Sequence, residues 1–449
     1  MRDTIAAIST PAGESAIASV RLSGPECAEI ARAVFGAEEI PARRMKYGAY
    51  RGLSGAAVDD VAFCLYRAPA SYTGEDMLEI FPHGNPFILR KILEDLSRRG
   101  ARLAEPGEFT RRAFLNGKMD LSQAEAVARV ISARSDAALS AARRQLGGEI
   151  GRRIGELSSR VLDMKALVEA YIDFPDEDLP EEDSARLLAE AEAVRSEMSR
   201  LAETSKRDAL LHDGVRVAIA GAPNAGKSSL MNALLGRNRA IVSPTAGTTR
   251  DFIDDRIMLG EFSAVITDTA GLRSGGGEIE NEGMRRACEK VAECDLCLLV
   301  VDSSAGVPEL PDEIFADRKK CIAVLNKCDL PASAPERFSE MTEGIETVRV
   351  SCATLAGIGE LREAMRDFVG ARLSGAALCD VTVGARHAEA LGRAVASLGG
   401  ARDKIASSAP AELAASDLAE ALSALGEIVG KTDCEDVLDR IFSKFCIGK

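Results

Sequence analysis

Residues 215–229 read V-R-V-A-I-A-G-A-P-N-A-G-K-S-S. The apolar run 215–220 predicts a strand, which is followed by a glycine-bounded loop and by a helix that begins at Lys227. A strand, a G-x-x-x-x-G-K-S loop and a helix, in this order, are typical of a P-loop. Loop N–H groups and the helix N-terminus favour an anion, Lys227 adds positive charge beside the outer phosphates, and the Ser228 hydroxyl is placed to bind Mg²⁺. The stretch therefore predicts a nucleoside triphosphate site.

Two further motifs predict a switch that senses the γ-phosphate. Residues 247–251 read G-T-T-R-D, and Thr249 can complete the Mg²⁺ shell once that phosphate is bound. Residues 268–271 read D-T-A-G and follow a predicted strand. Asp268 can hold the metal through water, and the Gly271 N–H can reach the γ-phosphate.

Two more loops predict which base is bound. Residues 326–329 read N-K-C-D, and the Asp329 carboxylate can accept hydrogen bonds from the N1–H and 2-amino groups of guanine, which adenine lacks. Residues 351–353 read S-C-A and can present a backbone N–H to the guanine O6. All these loops follow strands of one alternating β/α pattern, so they should open on one crevice. We expect an α/β P-loop GTPase domain over residues 214–371.

Leu272 departs from the Ras-like pattern, which has glutamine after D-T-A-G. Leucine cannot orient the attacking water. Asn224, in the P-loop, could hold a monovalent cation against the phosphates, and Glu280 could position the water instead. For each residue a plain structural role stays open, because Asn224 could only stabilise the loop turn and Glu280 could be an ordinary solvated helix residue.

Composition limits the possible functions. The 449 residues carry a net charge of −14, which argues against binding nucleic acid by bulk attraction, although a local basic surface is compatible with it. No leader or long apolar run is evident, so we expect a cytoplasmic protein with reduced thiols and no membrane partner. Cys294 and Cys297 form a lone C-x-x-C in a predicted strand, which favours core cysteines over zinc ligands.

The remaining sequence predicts two further parts. Residues 1–118 have an α+β pattern, and residues 119–213 and 372–449 have the spacing of long amphipathic helices. We expect one all-α helical bundle domain interrupted by the GTPase module. Phe445 and Ile447 are apolar anchors in the last five residues, so we expect the tail to dock. The predicted elements are strands at 4–8, 16–22, 58–66 and 77–81 and helices at 87–99, 121–131, 146–168, 184–211, 387–397 and 411–426.

These pieces together resemble the MnmE (TrmE) family of tRNA-modification GTPases, within the TrmE-Era-EngA type, over essentially the whole chain. The C-terminal F-C-I-G-K beside an inserted GTPase is the most specific feature. The resemblance rests on residues 106–118, on M-D-L-S-Q-A-E-A at 119–126, on I-D-F-P-D-E at 172–177, on the P-loop at 221–228, on 247–251 and on 445–449.

The resemblance implies an activity and partners. A homodimer would work with the FAD-dependent protein MnmG (GidA), as a heterotetramer or larger, to add an aminomethyl or carboxymethylaminomethyl group at the 5-position of the wobble uridine of certain tRNAs. The N-terminal domain would resemble folate-binding aminomethyltransferases, dimerise and hold 5-formyl- or 5,10-methylene-tetrahydrofolate. The implied folate contacts are Arg21, Glu79, Lys118 and Lys449.

The resemblance also implies ion and catalytic residues. Ser228 and Thr249 would bind Mg²⁺, and Asn224, Ser243, Thr245 and Thr248 would surround K⁺. Glu280 would organise the attacking water, and Cys446 would take part in the modification chemistry. With the motifs above, the predicted nucleotide and ion contacts are Asn224, Ala225, Gly226, Lys227, Ser228, Ser229, Ser243, Pro244, Thr245, Ala246, Gly247, Thr248, Thr249, Asp268, Thr269, Ala270, Gly271, Asn326, Lys327, Asp329, Ser351, Cys352 and Ala353.

The expected mechanism is potassium-dependent pairing of two GTPase domains, which completes each site without an arginine finger and moves the helical arms. A ribosome-assembly or RNA-binding GTPase without modification chemistry is the alternative. It would carry the same GTPase motifs, but it would need neither the folate-like domain nor the cysteine-containing tail.

Overall fold

The computed structural model describes residues 3–173, 181–236, 255–268, 288–305, 311–331, 335–373, 381–431, 435–443, 445 and 448. Two six-stranded sheets and a layer of long helices make up this part of the chain. Within it, no helix is both long and apolar enough to cross a membrane.

The N-terminal sheet is almost entirely antiparallel, with strand order β3-β4-β5-β2-β1-β6. Only β1 and β6 run parallel. Helix α2 begins after Asn85, whose side chain accepts the N–H groups of Phe87 and Ile88, and it covers one face of the sheet with Leu89, Ile92 and Leu96. The elements are β1 (Ile5–Ile8), β2 (Val20–Ser23), α1 (Cys27–Phe35), β3 (Lys46–Arg51), β4 (Ala57–Tyr66), β5 (Met77–Phe81), α2 (Pro86–Arg98), β6 (Arg102–Leu103) and α3 (Glu108–Leu115).

The strand predicted at 16–22 is wrong at its start, because β2 begins only at Val20. Ser15 pairs with Gly84 in an isolated bridge, and the Ala18 N–H donates to the Pro82 carbonyl. Residues 16–19 are thus held by a loop rather than by a neighbouring strand, which their apolar composition could not reveal.

In the described part of the chain, five helices follow α3 and precede the second sheet. Asp120 and Gln123 form a capping box that starts α4. The helix predicted at 146–168 is interrupted near its start, because Gly147 and Gly148 separate two helices. The single helix predicted at 184–211 is also two helices. The elements are α4 (Leu121–Ser132), α5 (Asp136–Leu146), α6 (Glu149–Asp173), α7 (Glu181–Glu203) and α8 (Ser205–Asp213).

The second sheet is parallel except for its edge strand β8, and its strand order is β12-β11-β10-β7-β9-β8. Strand β10 is central and apolar, as expected for a strand covered on both faces. The predicted core cysteine Cys297 lies buried in it. The elements are β7 (Val215–Ala220), α9 (Lys227–Leu235), β8 (Asp255–Leu259), β9 (Phe262–Asp268), β10 (Leu296–Asp302), β11 (Cys321–Asn326), α10 (Pro335–Met341), β12 (Glu346–Arg349) and α11 (Ile358–Leu373).

Helices before and after the second sheet share one hydrophobic core. Residues 150–198 of α6 and α7 pack with residues 383–428, which include α12 (Ala385–Ala406) and α13 (Ala411–Val429). The last helix is α14 (Glu435–Phe442). The parallel sheet is therefore inserted, in sequence, into a single helical layer.

The C-terminal tail docks, as predicted. Phe442 and Phe445 are buried against Leu121, Ala124 and Val127. These contacts fasten the end of the chain to the start of α4.

Candidate functional site

The P-loop between β7 and α9 is shaped by two glycines that no other residue could replace without strain. Gly221 has φ +148°, and a Cβ on it would lie 2.2 Å from the Val300 carbonyl oxygen. Gly226 has φ +96°, and a Cβ there would lie 2.1 Å from Asn326 Nδ2. Asn224 also has a positive φ, +60°. The loop therefore adopts the tight turn that aims backbone N–H groups at one point.

Lys227 and Ser228 occupy the first turn of α9. Lys227 Nζ donates to the Gly221 and Ala222 carbonyls at 2.9 and 2.8 Å, so the ammonium is held over the loop. Ser228 and Ser229 are exposed at the helix N-terminus. Because this end of the helix is electropositive and a hydroxyl is accessible there, the loop fits a triphosphate with Mg²⁺.

Asn326 joins two of the predicted base-binding and phosphate-binding loops. The buried amide donates to the Ala225 carbonyl at 2.9 Å and accepts the Cys352 N–H at 3.2 Å. Ser351 is fully buried, whereas Asp329 and Ala353 are exposed. In the structure, the P-loop, residues 326–329 and residues 351–353 therefore all lie at the carboxyl-terminal ends of the parallel strands.

Asp302 is the last residue of β10, at the same carboxyl-terminal ends of the strands. It forms an ion pair with Lys327, whose φ is +62°. Burial would raise the pKa of this carboxyl, but hydrogen bonds from Lys327 and Ser304 lower it below its ordinary value. Sequence reasoning missed Asp302. A polar residue that ends an apolar central strand beside the P-loop strand is the signal that could have found it.

The N-terminal sheet carries a second polar group, centred on Arg21 and Glu79. These residues are partners in the β2–β5 register, and Glu79 Oε1 accepts from Arg21 Nε and Nη2 at 3.0 and 2.8 Å. The rings of Tyr72 and Phe109 lie 5.5 and 5.8 Å from the Arg21 guanidinium carbon. Both ion-pair side chains are more than four-fifths buried.

Tyr66 donates to the other oxygen of Glu79, Oε2, at 3.2 Å. Burial, with help from Cys64 and Glu79, raises the pKa of the Tyr66 phenol to about 12, so it remains a hydrogen-bond donor at neutral pH. Lys118 is exposed, and its ammonium donates to the Pro69 carbonyl at 3.0 Å rather than to Glu79.

The end of the chain reaches the same sheet. A Cβ on Gly448 would lie 2.4 Å from the Ile8 carbonyl oxygen. Ile8 is in β1, where its neighbour Ala7 is the register partner of Arg21. The docked tail therefore ends beside the strand that flanks the ion pair.

Two family models match the chain. The MnmE helical domain matches residues 121–446, and the N-terminus of the GTP-binding protein TrmE matches residues 4–118. The chain belongs to the MnmE (TrmE) family. Curated relatives named tRNA modification GTPase MnmE include those of Opitutus terrae, Akkermansia muciniphila and Aquifex aeolicus. They are 46%, 43% and 42% identical over 100%, 99% and 100% of this chain and 99%, 99% and 100% of their own lengths.

Membership in the MnmE family establishes a GTP-hydrolysing tRNA modification enzyme, and the predicted resemblance is confirmed. The described P-loop geometry agrees with that activity. Several predicted residues lie outside the described part: Ser243, Pro244, Thr245, Ala246, Gly247, Thr248, Thr249, Thr269, Ala270, Gly271, Glu280, Cys446 and Lys449. Asp268 ends β9, but its side chain also lies outside the described part.

Proposed function

We propose that this chain couples GTP hydrolysis to addition of an aminomethyl or carboxymethylaminomethyl group at the 5-position of the wobble uridine of certain tRNAs. It would do so as a cytoplasmic homodimer, with the FAD-dependent protein MnmG. One observation carries the proposal: the helical layer packs on the GTPase sheet through α5, and through α4 it holds the tail that ends beside the Arg21–Glu79 sheet. A nucleotide-driven movement of that layer could therefore reach the modification centre. The proposed domains are residues 1–118, 119–213 with 372–449, and 214–371.

In the GTPase site, the P-loop backbone and Lys227 would hold the phosphates, and Ser228 with Thr249 would hold Mg²⁺. Asp329 would accept from guanine, and the Asn326 amide would keep the P-loop and the base-binding loop in register, since it bonds both. Leu272 cannot orient water, so Asn224, Ser243, Thr245 and Thr248 would hold K⁺ and Glu280 would position the nucleophile.

In the N-terminal domain, Glu79 would bind the pterin amino edge of tetrahydrofolate. A carboxylate accepts from such an edge through two oxygens, and among the described residues the Tyr66 hydroxyl is the only side-chain partner of Glu79 Oε2. Arg21 fixes the orientation of Glu79, and the partly buried Tyr72 ring beside it offers flat apolar surface for a pterin. Lys118 and Lys449 would pair with the folate carboxylates, and bound folate would supply the one-carbon unit. Cys446 would act in the transfer chemistry.

A polar joint supports the proposed coupling. Buried Asp208, in the helix that leads into β7, accepts from Arg129 of α4 at 2.9 Å and from the Thr382 hydroxyl at 2.9 Å. Thr382 belongs to the segment that returns from the GTPase sheet. The segment that enters the GTPase sheet and the segment that leaves it are thus both connected to α4 at Asp208. A reorientation of the sheet would therefore displace α4, the helix that contacts the tail.

A second contact connects strand β9 to the helices, at the end of the strand opposite the nucleotide site. The Ala137 N–H of α5 donates to the Glu261 carbonyl at 3.1 Å, in the turn between β8 and β9. The far end of β9 is Asp268, in the switch motif. A movement of β9 would therefore be transmitted to α5 through this hydrogen bond.

GTP turnover in KCl and in NaCl, measured as protein concentration rises, tests the GTPase part. We expect faster turnover in KCl, increasing with concentration, and loss of the KCl advantage in Asn224→Ala. Equal rates in both salts at all concentrations would refute potassium-dependent pairing.

Calorimetric titration with 5-formyltetrahydrofolate tests the N-terminal part. We expect saturable binding that is lost in Arg21→Ala. No heat of binding to the wild-type protein would instead favour a GTPase without one-carbon chemistry, such as an assembly factor.

A further inference from the structure

Helix α2 presents an aromatic ring flanked by cations on its outer face. Phe87 is 54% exposed. The guanidinium carbon of Arg90 lies 5.4 Å from the ring centroid, and Lys91 Nζ lies 4.7 Å from it. We call Phe87, Arg90 and Lys91 the α2 ridge. An exposed aromatic interleaved with cations is the combination that single-stranded nucleic acid requires, since bases stack on the ring and phosphates pair with the cations.

A cavity of about 530 Å³ adjoins the ridge. Its apolar wall comes from Leu89 and Leu93 of α2, from Ile8 at the end of β1 and from Leu103. Polar groups line it as well, namely Thr10, Arg90, Glu94 and Ser97. The cavity is large enough for a nucleobase and offers both an apolar wall and hydrogen-bonding groups.

The local charge is opposite to that of the whole chain. Arg90 Nε lies 3.8 Å from Glu94 Oε1, and both side chains are more than half exposed. Water therefore screens this pair, and Glu94 cancels little of the positive potential of Arg90. The other acid of the helix, Asp95, is buried and bonds Arg99 and Tyr50. The outer face of α2 is thus left with a positive balance on a chain of net charge −14, which makes it a place where an RNA backbone can approach.

We propose that the α2 ridge and its cavity bind the single-stranded loop of the tRNA substrate. One base would stack on Phe87, the flanking phosphates would pair with Arg90 and Lys91, and a neighbouring unstacked base would enter the cavity. A duplex cannot satisfy this surface, because its base faces are covered. The proposal rests on tRNA being the substrate, and it adds the surface on this chain that reads it.

The position of the cavity supports this occupant. Ile8 lines the cavity, and its carbonyl oxygen is also the atom nearest to a Cβ built on Gly448. A base held in the cavity would therefore lie next to the docked tail.

Fluorescence polarisation of a labelled tRNA anticodon stem-loop, added to the full-length protein without GTP or folate, tests the proposal. We expect Phe87→Ala to weaken binding at least tenfold, as loss of base stacking does. The double variant Arg90→Ala with Lys91→Ala should lower the slope of log affinity against log salt by about 1.4, the value for two lost contacts to a single strand.

Matched variants on α6 provide controls. Leu162 is 53% exposed, and Arg152 and Arg153 have exposed side chains. Leu162→Ala and the double variant Arg152→Ala with Arg153→Ala should leave RNA affinity and salt slope unchanged. GTP turnover should be normal in every variant, which shows that the protein is folded.

Unchanged RNA affinity in both ridge variants would overturn the proposal. So would a change of sedimentation coefficient in Phe87→Ala with RNA affinity intact, because the face would then be an interface between copies of the chain. Since the assay needs no modification chemistry, its failure is distinct from failure of the proposed function.

Discussion

The two six-stranded sheets of this chain build their polar groups in different ways. In the parallel sheet, the groups lie at one edge, where strands end and loops such as 221–226 begin, and backbone atoms do much of the binding. In the antiparallel sheet, the groups lie on a face, and side chains from β2, β4 and β5 meet across the strands. Ligand binding at the strand ends should be lost when one atom is added to a backbone turn. Ligand binding on the sheet face should be lost when one side-chain charge is removed.

Gly226→Ala should produce the largest effect, because it disrupts the strand-end site through the backbone. The new methyl would lie 2.1 Å from Asn326 Nδ2, and alanine disfavours φ +96°. We expect GTP affinity to fall at least tenfold, measured by calorimetry. In Gly392→Ala, where a Cβ meets nothing within 4 Å, GTP affinity should be unchanged. Normal GTP binding by Gly226→Ala would show that the edge of the sheet tolerates a different loop.

Glu79→Gln should produce the next largest effect, confined to the antiparallel sheet. The amide keeps the shape but removes the charge, which leaves the largely buried Arg21 without its counter-ion. We expect affinity for 5-formyltetrahydrofolate to fall at least tenfold while GTP turnover is unchanged.

The pair Arg67–Asp76, between the end of β4 and the start of β5, is the matched control beside the same sheet. Its arginine side chain is 47% exposed, so Arg67→Ala should not alter folate binding. A parallel loss of GTP turnover in Glu79→Gln would mean that the two sheets do not work as separate sites.

Glu125 offers a smaller effect in the helices that connect the sheets. Its carboxylate on α4 lies 2.7 Å from Arg386 Nε and 2.8 Å from the buried His387 Nε2. Burial would raise the pKa of Glu125, but these two partners lower it from 4.5 to about 2. The resulting stability, at most about 3 kcal/mol, is present above pH 4.5 and is lost as the pH falls towards 2.

Thermal unfolding followed by circular dichroism checks this expectation. The difference in melting temperature between the wild-type protein and Glu125→Gln should be largest at pH 6 and should shrink steadily below pH 4.5. A difference that does not depend on pH would contradict the ion-pair account.

The parallel sheet was largely predictable from sequence, because its signals are local. The P-loop residues 221–228 sit between a periodic strand and a helix start, and the strands leading to 268, 326 and 351 are short apolar runs. The Asn326 amide bridge and the Lys327–Asp302 pair were not predictable, since they join residues about 100 and 25 positions apart in sequence.

The antiparallel sheet was less accessible to sequence reasoning. Strand β3 and helix α1 were not predicted, and β2 proved shorter than its apolar run because loop contacts hold residues 16–19. Arg21 and Glu79 are 58 residues apart, and only the family resemblance singled them out. Their cross-strand register, which makes them a pair, is a property of the fold rather than of any local pattern.

The most direct test of the central claim is the wobble-nucleoside profile of tRNA from cells that lack this chain and are supplied with the wild-type protein, Lys227→Ala or Glu79→Gln. We predict that the 5-substituted uridine disappears on deletion, returns with the wild-type protein and fails to return with either variant, because both sheets must function. Full restoration by Lys227→Ala, or an unchanged profile in the deletion, would contradict the coupling of GTP hydrolysis to tRNA modification.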